Sequence, residues 1–364
     1  MKLEAGCKTT AMGIMPHTDI ERALDLTLSL DIPFWPQLPN VSFYEDMYVQ
    51  TSRSLPGILV DHATEKIRFN TLKFEEELLN YLEVVEQSDT FALTDEYSVV
   101  YHRFLQKDLP KYPAVRGQVT GPISFGFRVV DESLKPIIYN DQARMTLFDF
   151  IQRKINVQYR ELKEKNKAAF VWVDEPGLGY VFSALSGYND IQARQDYRDF
   201  MEGVESPKAM HLCANVYLPY LLDLGLELLS FDALQMEFMP VEYAGAVAEF
   251  LRGGGIISWG IVPTDTVRLV NETPETLAKL LSSYWEAVSQ GTGLPPEQIA
   301  QQALIAPARC CLKNIGEADA SDDDIACKAE EPQASPIEER IVERAFAYLR
   351  QTSSILQDQY KIST

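Results

Sequence analysis

Short apolar runs alternate with longer amphipathic segments along most of the chain. Runs of this length are typical of buried strands, and we predict strands at residues 168–173, 208–213, 227–230, 255–259 and 302–306. Apolar positions at helical spacing predict helices at about residues 18–30, 72–87, 142–166, 191–203, 242–252 and 274–290. Because strands and helices alternate in this way, the pattern indicates a mostly parallel sheet covered by helices.

Two of the predicted helices have a clear apolar face. In residues 142–166 the face is formed at three- and four-residue spacing by Met145, Phe148, Ile151, Ile155 and Tyr159. A C-terminal helix at 336–358 repeats an apolar residue every fourth position, at Ile337, Ile341, Ala345 and Leu349. We therefore expect the C-terminal helix to pack on the body of the protein.

Two α/β architectures fit this alternation, a (β/α)8 barrel and a doubly wound sheet. No GxGxxG follows a predicted strand, so a dinucleotide-binding fold has no support. A length of 364 residues is normal for one barrel with insertions, and we predict a single domain over residues 1–364 with an insertion after the first strands. Residues 316–336 are acidic and nearly free of large apolar side chains, which predicts a flexible insertion before the last helix.

The charge and the composition exclude several kinds of partner. A formal net charge of −20 repels phosphate backbones and anionic lipids, so we expect neither nucleic-acid nor membrane binding. No apolar run has the length of a membrane span, and the first residues lack the core of a signal peptide. Five scattered cysteines do not form a disulfide framework, which favours the cytoplasm.

The stretch MHLCAN at residues 210–215 places His211 two positions before Cys213 at the end of a predicted strand. Residues two apart on a strand point to the same face, and active sites of barrels lie at the carboxyl ends of the strands. The pair is either part of a metal site or a buried cysteine beside a hydrogen-bonded histidine.

Two later strand ends add further ligand types. Glu237 lies between apolar neighbours, where a carboxylate is either coordinated or on the exposed side of a loop. Cys310 and Cys311 follow the apolar run at 302–306. One histidine, one glutamate and two cysteine sulfurs would form a tetrahedral set that favours Zn²⁺.

With these residues the sequence resembles the catalytic half of cobalamin-independent methionine synthase, within the superfamily that includes uroporphyrinogen decarboxylase and the corrinoid-dependent methyltransferases. The zinc motifs of that family are matched by HLC at 211–213, DALQME at 232–237 and CCLK at 310–313. The resemblance implies a (β/α)8 barrel whose zinc ligands are His211, Cys213, Glu237 and, of the two adjacent cysteines, Cys310.

Three further motifs extend the resemblance over about residues 9–20 and 115–315. VDEP at 173–176 matches a motif whose aspartate holds the amino group of homocysteine, which gives Asp174 that role. VTGPIS at 119–124 matches a segment at a strand end, and TTAMGIMPHT at 9–18 matches the strand that opens the barrel. Ile14 and His17 replace the serine and the glutamine of the family in this last motif. His17 is thus a candidate substrate contact or a structural histidine.

The resemblance implies transfer of a methyl group to a thiol such as homocysteine, to give methionine. Full methionine synthases of this type carry a second, N-terminal barrel, whereas single-barrel relatives mostly take methyl from a corrinoid. A methylated corrinoid, on a partner protein, is therefore the expected donor. The alternatives are another thiol acceptor, a decarboxylase of the tetrapyrrole kind, or a non-catalytic corrinoid-partner protein with a structural zinc.

Overall fold

The strand order of the sheet decides between the two architectures. The structure, a computed structural model, describes residues 3–183, 186–214, 217–310 and 336–362. Its strands are β1 (Lys8–Thr9), β2 (Ile58–Asp61), β3 (Lys66–Phe69), β4 (Val115–Thr120), β5 (Ala169–Asp174), β6 (Lys208–Leu212), β7 (Leu228–Asp232), β8 (Ile256–Val262) and β9 (Ala303–Pro307). Seven of them form a parallel sheet in the order β1-β9-β8-β7-β6-β5-β4. Neighbours follow one another in sequence and the last strand pairs with the first, which is the order of a barrel.

An extended segment between β1 and β4 continues the curved sheet. The amide of Ile32 donates to the carbonyl of Thr9 on one side, and the amide of Arg116 donates to the carbonyl of Pro33 on the other. Phe34 is in addition bridged to Arg116 in parallel orientation. The segment thus lies between the two edge strands, and the predicted TIM-barrel-like fold is confirmed.

Helices cover the outside of the sheet. They are α1 (Ile20–Thr27), α2 (Met47–Ser52), α3 (Thr71–Val84), α4 (Val99–Phe104), α5 (Pro122–Arg128), α6 (Asp141–Lys165), α7 (Asp190–Glu202), α8 (Leu218–Leu222), α9 (Val241–Arg252), α10 (Thr266–Asn271), α11 (Pro274–Thr292), α12 (Pro296–Gln301) and α13 (Pro336–Gln359). Short 3-10 turns occur at Phe43–Glu45, Ser88–Thr90, Ile137–Tyr139, Pro176–Phe182 and Ala233–Gln235. None of the helices in the described segments combines the length and apolarity that a membrane span requires.

The predicted insertion after the first strands contains α2, the antiparallel hairpin β2–β3, α3 and α4. The predicted acidic insertion at 316–336 lies outside the described residues, except for its last residue, Pro336, where α13 begins. The same is true of Cys311 and of the lysine in CCLK.

The predicted helix faces are correct except at their first residues. Phe148, Ile151, Ile155 and Tyr159 of α6 are buried, but Met145 is 72% exposed. In α13, Ala345 and Leu349 are buried and Ile341 packs on the core, but Ile337 is 52% exposed. Both exceptions lie near the starts of long helices. In α6 the residues on either side, Ala143 and Leu147, are buried, so Met145 lies outside the buried face rather than before it. Arg22 of α1 pairs with Glu339 at 2.9 Å and helps to hold α13 in place.

Candidate metal centre at the carboxyl ends of the strands

A ring of polar side chains lines the inner face of the sheet near the carboxyl ends of the strands. Register partners on adjacent strands lie side by side and point to the same face. The ring consists of partners on five successive strands, all buried: Thr120, Asp174, His211, Ser230 and Ser258. Next to the ring, toward the amino ends, the same face is mostly apolar, with Phe170, Trp172, Ala209 and Leu228 in one cluster, and β4 adds the buried Arg116 and Gln118 to it. Buried polar groups above an apolar floor indicate a functional site, since burying them is costly without a role.

His211, the last residue but one of β6, is the centre of this ring. Its Nδ1 lies 3.0 Å from the hydroxyl oxygen of Ser230, whereas its Nε2 is buried and has no hydrogen-bond partner among the described residues. The ring of Trp172 stacks on the imidazole, with centroids 5.6 Å apart and planes at 18°. One ring nitrogen is therefore fixed by a neighbour while the other remains available, as in most metal-binding histidines.

Cys213 and Cys310 lie next to each other and to His211. Hydrogen bonding to Cys310 holds the pKa of the Cys213 thiol well below its usual range, and the His211 ring and the Arg309 guanidinium add to this effect against the opposing influence of burial. Neither Cys213 nor Cys310 is in a disulfide bond within the described residues. The predicted convergence of HLC and CCLK at one end of the sheet therefore agrees with the described geometry, although Cys311 lies outside the described residues.

Glu237 occupies a different environment from the other three predicted ligands. It is exposed on the loop after the turn Ala233–Gln235, where it lines a cavity of about 260 Å³ together with Asp232 and Gln235. The side-chain Nε2 of Gln235 donates to the backbone carbonyl oxygen of Cys213 at 2.9 Å and to the carboxylate of Asp232 at 3.1 Å. The loop that carries Glu237 is thus attached to the loop that carries Cys213.

Asp174 ends β5 beside His211. Burial raises the pKa of its carboxyl group to about 6, against the influence of His211 and Arg116. The next residue, Glu175, is fully buried and accepts hydrogen bonds from the amides of Ile123 and Ser124 at the start of α5. The VDEP motif thus places one carboxylate in the polar ring and uses the other to fix the following loop.

His17, the second predicted substrate contact, is fully buried behind β1. Neither ring nitrogen has a hydrogen-bond partner among the described residues, and burial lowers the pKa of the ring. Its neighbour Thr18 donates its amide to Glu339 of α13 at 3.2 Å. These contacts leave both interpretations of His17 open.

Several residues that support the site were missed by the sequence reasoning. Asp232 is buried and pairs with Arg309 at 2.8 Å, which fixes the chain directly before Cys310. Ser230 could have been noticed, because it is a polar residue between the apolar positions Leu229 and Phe231 of a buried strand.

The donor types agree with zinc, although the four predicted ligands do not form a finished cage. Within the described segments, no group of three or more histidine, cysteine, aspartate or glutamate side chains is placed to hold a metal ion. An unpartnered buried imidazole nitrogen beside two thiols is nevertheless a donor set that zinc prefers. The residues present therefore fit the metal in chemistry.

Comparisons with known proteins bear on the fold. No protein-family model matches the chain, and no curated protein matches it. Among solved structures it is similar to a methyltransferase from Methanosarcina mazei, with a TM-score of 0.52 and 13% identity over 98% of this chain and 95% of that one. It is also similar to a protein described as a vitamin-B12-independent methionine synthase from Listeria monocytogenes, with a TM-score of 0.50 and 15% identity over 93% and 86% of the chains. At such identities the likeness shows the fold alone.

Proposed function

We propose that this protein is a zinc-dependent methyltransferase that transfers a methyl group to a thiol such as homocysteine. The observation that carries the proposal is the free Nε2 of His211 beside Cys213 and Cys310 at the carboxyl ends of the strands. The likeness in fold to structures described as a methyltransferase and a methionine synthase supports the same reaction class.

His211, Cys213, Cys310 and Glu237 would hold the zinc ion. When bound, zinc converts the acceptor thiol into a thiolate at neutral pH, which a free thiol with a pKa near 8.5 is not. With Nδ1–H donating to the Ser230 hydroxyl, the Nε2 lone pair of His211 would be available to the metal, and Asp232 with Arg309 fixes the chain before Cys310. Glu237 lies on an exposed loop and is the ligand we expect to be displaced most easily.

Asp174 would orient the acceptor. A carboxylate at the strand end beside His211 is placed to accept a charge-assisted hydrogen bond from a substrate ammonium group. A correctly oriented thiolate then attacks the methyl carbon of the donor, and the donor leaves with the bonding electron pair. Orientation of this kind supplies a large part of the rate of a transfer between two bound molecules.

A methylated corrinoid on a partner protein is the proposed donor. The strongly negative chain is poorly suited to an anionic donor such as a polyglutamylated folate, because like charges repel.

The test uses the purified full chain. We expect about one bound zinc ion per chain, and methionine formation from homocysteine and methylcobalamin. Cys310→Ala should lose both the metal and the activity, while Cys7→Ala, which changes a buried cysteine bonded to the Ala300 carbonyl, should keep both. A metal-free wild type, or equal activity in the two variants, would exclude the proposed site.

The same measurements separate the alternatives. If the protein binds the metal and methylates another thiol but not homocysteine, only the proposed identity of the acceptor is wrong. Metal that no added thiol perturbs would favour a structural zinc in a non-catalytic corrinoid-partner protein, since structural sites are closed to further ligands. Replacing zinc by Co²⁺ reports this directly, because a thiol that enters the site changes the absorption spectrum.

A further inference from the structure

Arg116 is a fully buried cation inside the barrel. Its Nε donates to the hydroxyl of Thr10 at 3.2 Å, and its Nη1 donates to the side-chain oxygen of Gln118 at 3.0 Å. Its Nη2 has no hydrogen-bond partner, and no carboxylate of the described residues lies within ion-pair distance of it. Asp174 acts on this charge, but only from beyond ion-pair distance. Burying a charge without a direct ion pair is costly, so ordinary core packing does not explain why an arginine is present.

The guanidinium group lies between two aromatic rings. Its central carbon is 4.5 Å from the ring centroid of Phe34 and 3.9 Å from that of Trp172. The other partner of Trp172 is the imidazole of His211, whose plane differs from that of the indole by 18°. Phe34, Arg116, Trp172 and His211 therefore form one continuous row, which we call the stack, from the extended segment beside β1 to the polar ring.

The stack and Ser230 restrict His211 in different ways. The contact between Nδ1 and Ser230 fixes one edge of the imidazole, and the indole fixes the plane of the ring. Trp172 has no hydrogen bond of its own to hold its Nε1 among the described residues, so its orientation depends on packing between the guanidinium and the imidazole. With one edge and the plane of the imidazole both fixed, the Nε2 of His211 points in one direction.

We propose that Arg116 is a positioning residue that fixes the plane of His211 through Trp172. The proposal rests on the proposed role of His211 as a metal ligand. A planar guanidinium stacks on aromatic faces, whereas the compact ammonium group of lysine does not, so lysine cannot replace arginine here even though it keeps the charge. The stack, rather than the charge, then determines how well the site binds metal.

The first experiment measures zinc affinity of the full chain by competition with a chromophoric chelator. Changes in groups that orient metal ligands typically cost 10- to 100-fold in affinity, and we expect a loss of about 10-fold or more in both Arg116→Lys and Arg116→Met. Phe34→Leu, which opens one side of the stack and leaves the charge in place, should lose affinity severalfold. Affinities within about threefold of wild type in all three variants, or a loss in Arg116→Met alone, would overturn the proposal.

Lys154→Met is the matched control. Lys154 is also a buried cation, it lies 5.4 Å from the ring of Phe150, and it donates to the carbonyl of Gln50 rather than to a group of the polar ring. Its loss should change the thermal unfolding temperature without changing the zinc affinity. A loss of affinity as large as that in Arg116→Lys would mean that any buried cation has this effect, and would count against the stack.

A second measurement needs no metal. The chain has four histidines, so NMR of protein labelled at the imidazole carbons gives four separable signals, and His211→Gln identifies the one from His211. In metal-free wild type this signal should be single, narrow and shifted by the indole ring current, and in Arg116→Lys it should broaden or move toward the unstacked value. An unchanged His211 signal in Arg116→Lys would overturn the proposal. A wild type that binds no zinc but shows the expected NMR change would contradict the proposed function and leave the positioning role intact.

Discussion

The hydroxyl of Ser230 lies 3.0 Å from Nδ1 of His211, its register partner on the neighbouring strand. If this contact selects the tautomer that leaves Nε2 free, Ser230→Ala should lower zinc affinity about 10-fold, within the range typical of groups that orient metal ligands. Chelator competition measures the loss. Ser258→Ala is the control, because Ser258 is the next register partner in the ring and its hydroxyl has no hydrogen-bond partner in the described part of the chain. Equal losses in both variants would contradict the orienting role.

Gly121 allows Glu175 to reach the start of α5. A Cβ at Gly121 would lie 2.2 Å from a carboxylate oxygen of Glu175, and this oxygen also accepts the amide of Ile123. We expect Gly121→Ala to lower the free energy of unfolding by about 1–3 kcal/mol, the usual cost of overpacking. Denaturant unfolding measures the change.

Gly245→Ala is the matched substitution for this test. Gly245 lies inside α9 with open space around the position of an added Cβ. Alanine is favoured over glycine in helices, so this variant should gain up to about 1 kcal/mol. If Gly245→Ala lowers the free energy of unfolding, or Gly121→Ala leaves it unchanged, the close approach of Glu175 is not the reason for a glycine at position 121.

The strands from β5 to β9 could be predicted from the sequence because each is a short, nearly continuous apolar run. The sequence also predicted that His211 and Cys213 lie together, and the two side chains do interact, although β6 ends at Leu212 and Cys213 is the first residue after it. The helix faces were predicted well in their middle parts, where helices contact the sheet. The exposed Met145 shows the limit of such a pattern: Ala143 and Leu147 on either side of it are buried, so periodicity identified the face but not its edge.

The extended segment beside β1 could not be predicted in this way. It contains Pro33 and Pro36, which break the strand pattern, and it is joined to its neighbours by a few backbone contacts. Arg116 and Trp172 were missed for another reason: their contact joins two adjacent strands, β4 and β5, that are far apart in the sequence, so it leaves no local pattern. The exposure of Glu237 is set by the course of its loop, which local composition does not determine.

Lys154 should give the protein a distinctive dependence on pH. Burial, with a smaller effect of the Arg53 charge, lowers the pKa of Lys154 to about 7, whereas an unfolded lysine titrates near 10.4. Between these values the unfolded state binds more protons than the folded state, so this group makes stability rise as pH increases from about 7 to 10.

Lys154→Met removes that contribution. The free energy of unfolding of wild type minus that of the variant should therefore increase between pH 7 and 10, as measured by urea unfolding at several pH values. Groups that titrate in the same way in both proteins contribute equally to both free energies of unfolding, so their contributions cancel in this difference. A difference that is constant across this range would show that Lys154 titrates normally in the folded protein.

Asp174 should determine which thiols are accepted. If its carboxylate holds the ammonium group of the acceptor, Asp174→Asn loses a charge-assisted hydrogen bond worth about 1.5–3 kcal/mol, or roughly 10- to 150-fold in kcat/KM for homocysteine. A thiol without an amino group, such as 3-mercaptopropionate, makes no such bond, and its kcat/KM should change by less than about threefold. The ratio of the two values isolates substrate recognition from any general damage to the site. Equal losses for both thiols would place Asp174 in the structure of the polar ring rather than in recognition of the acceptor.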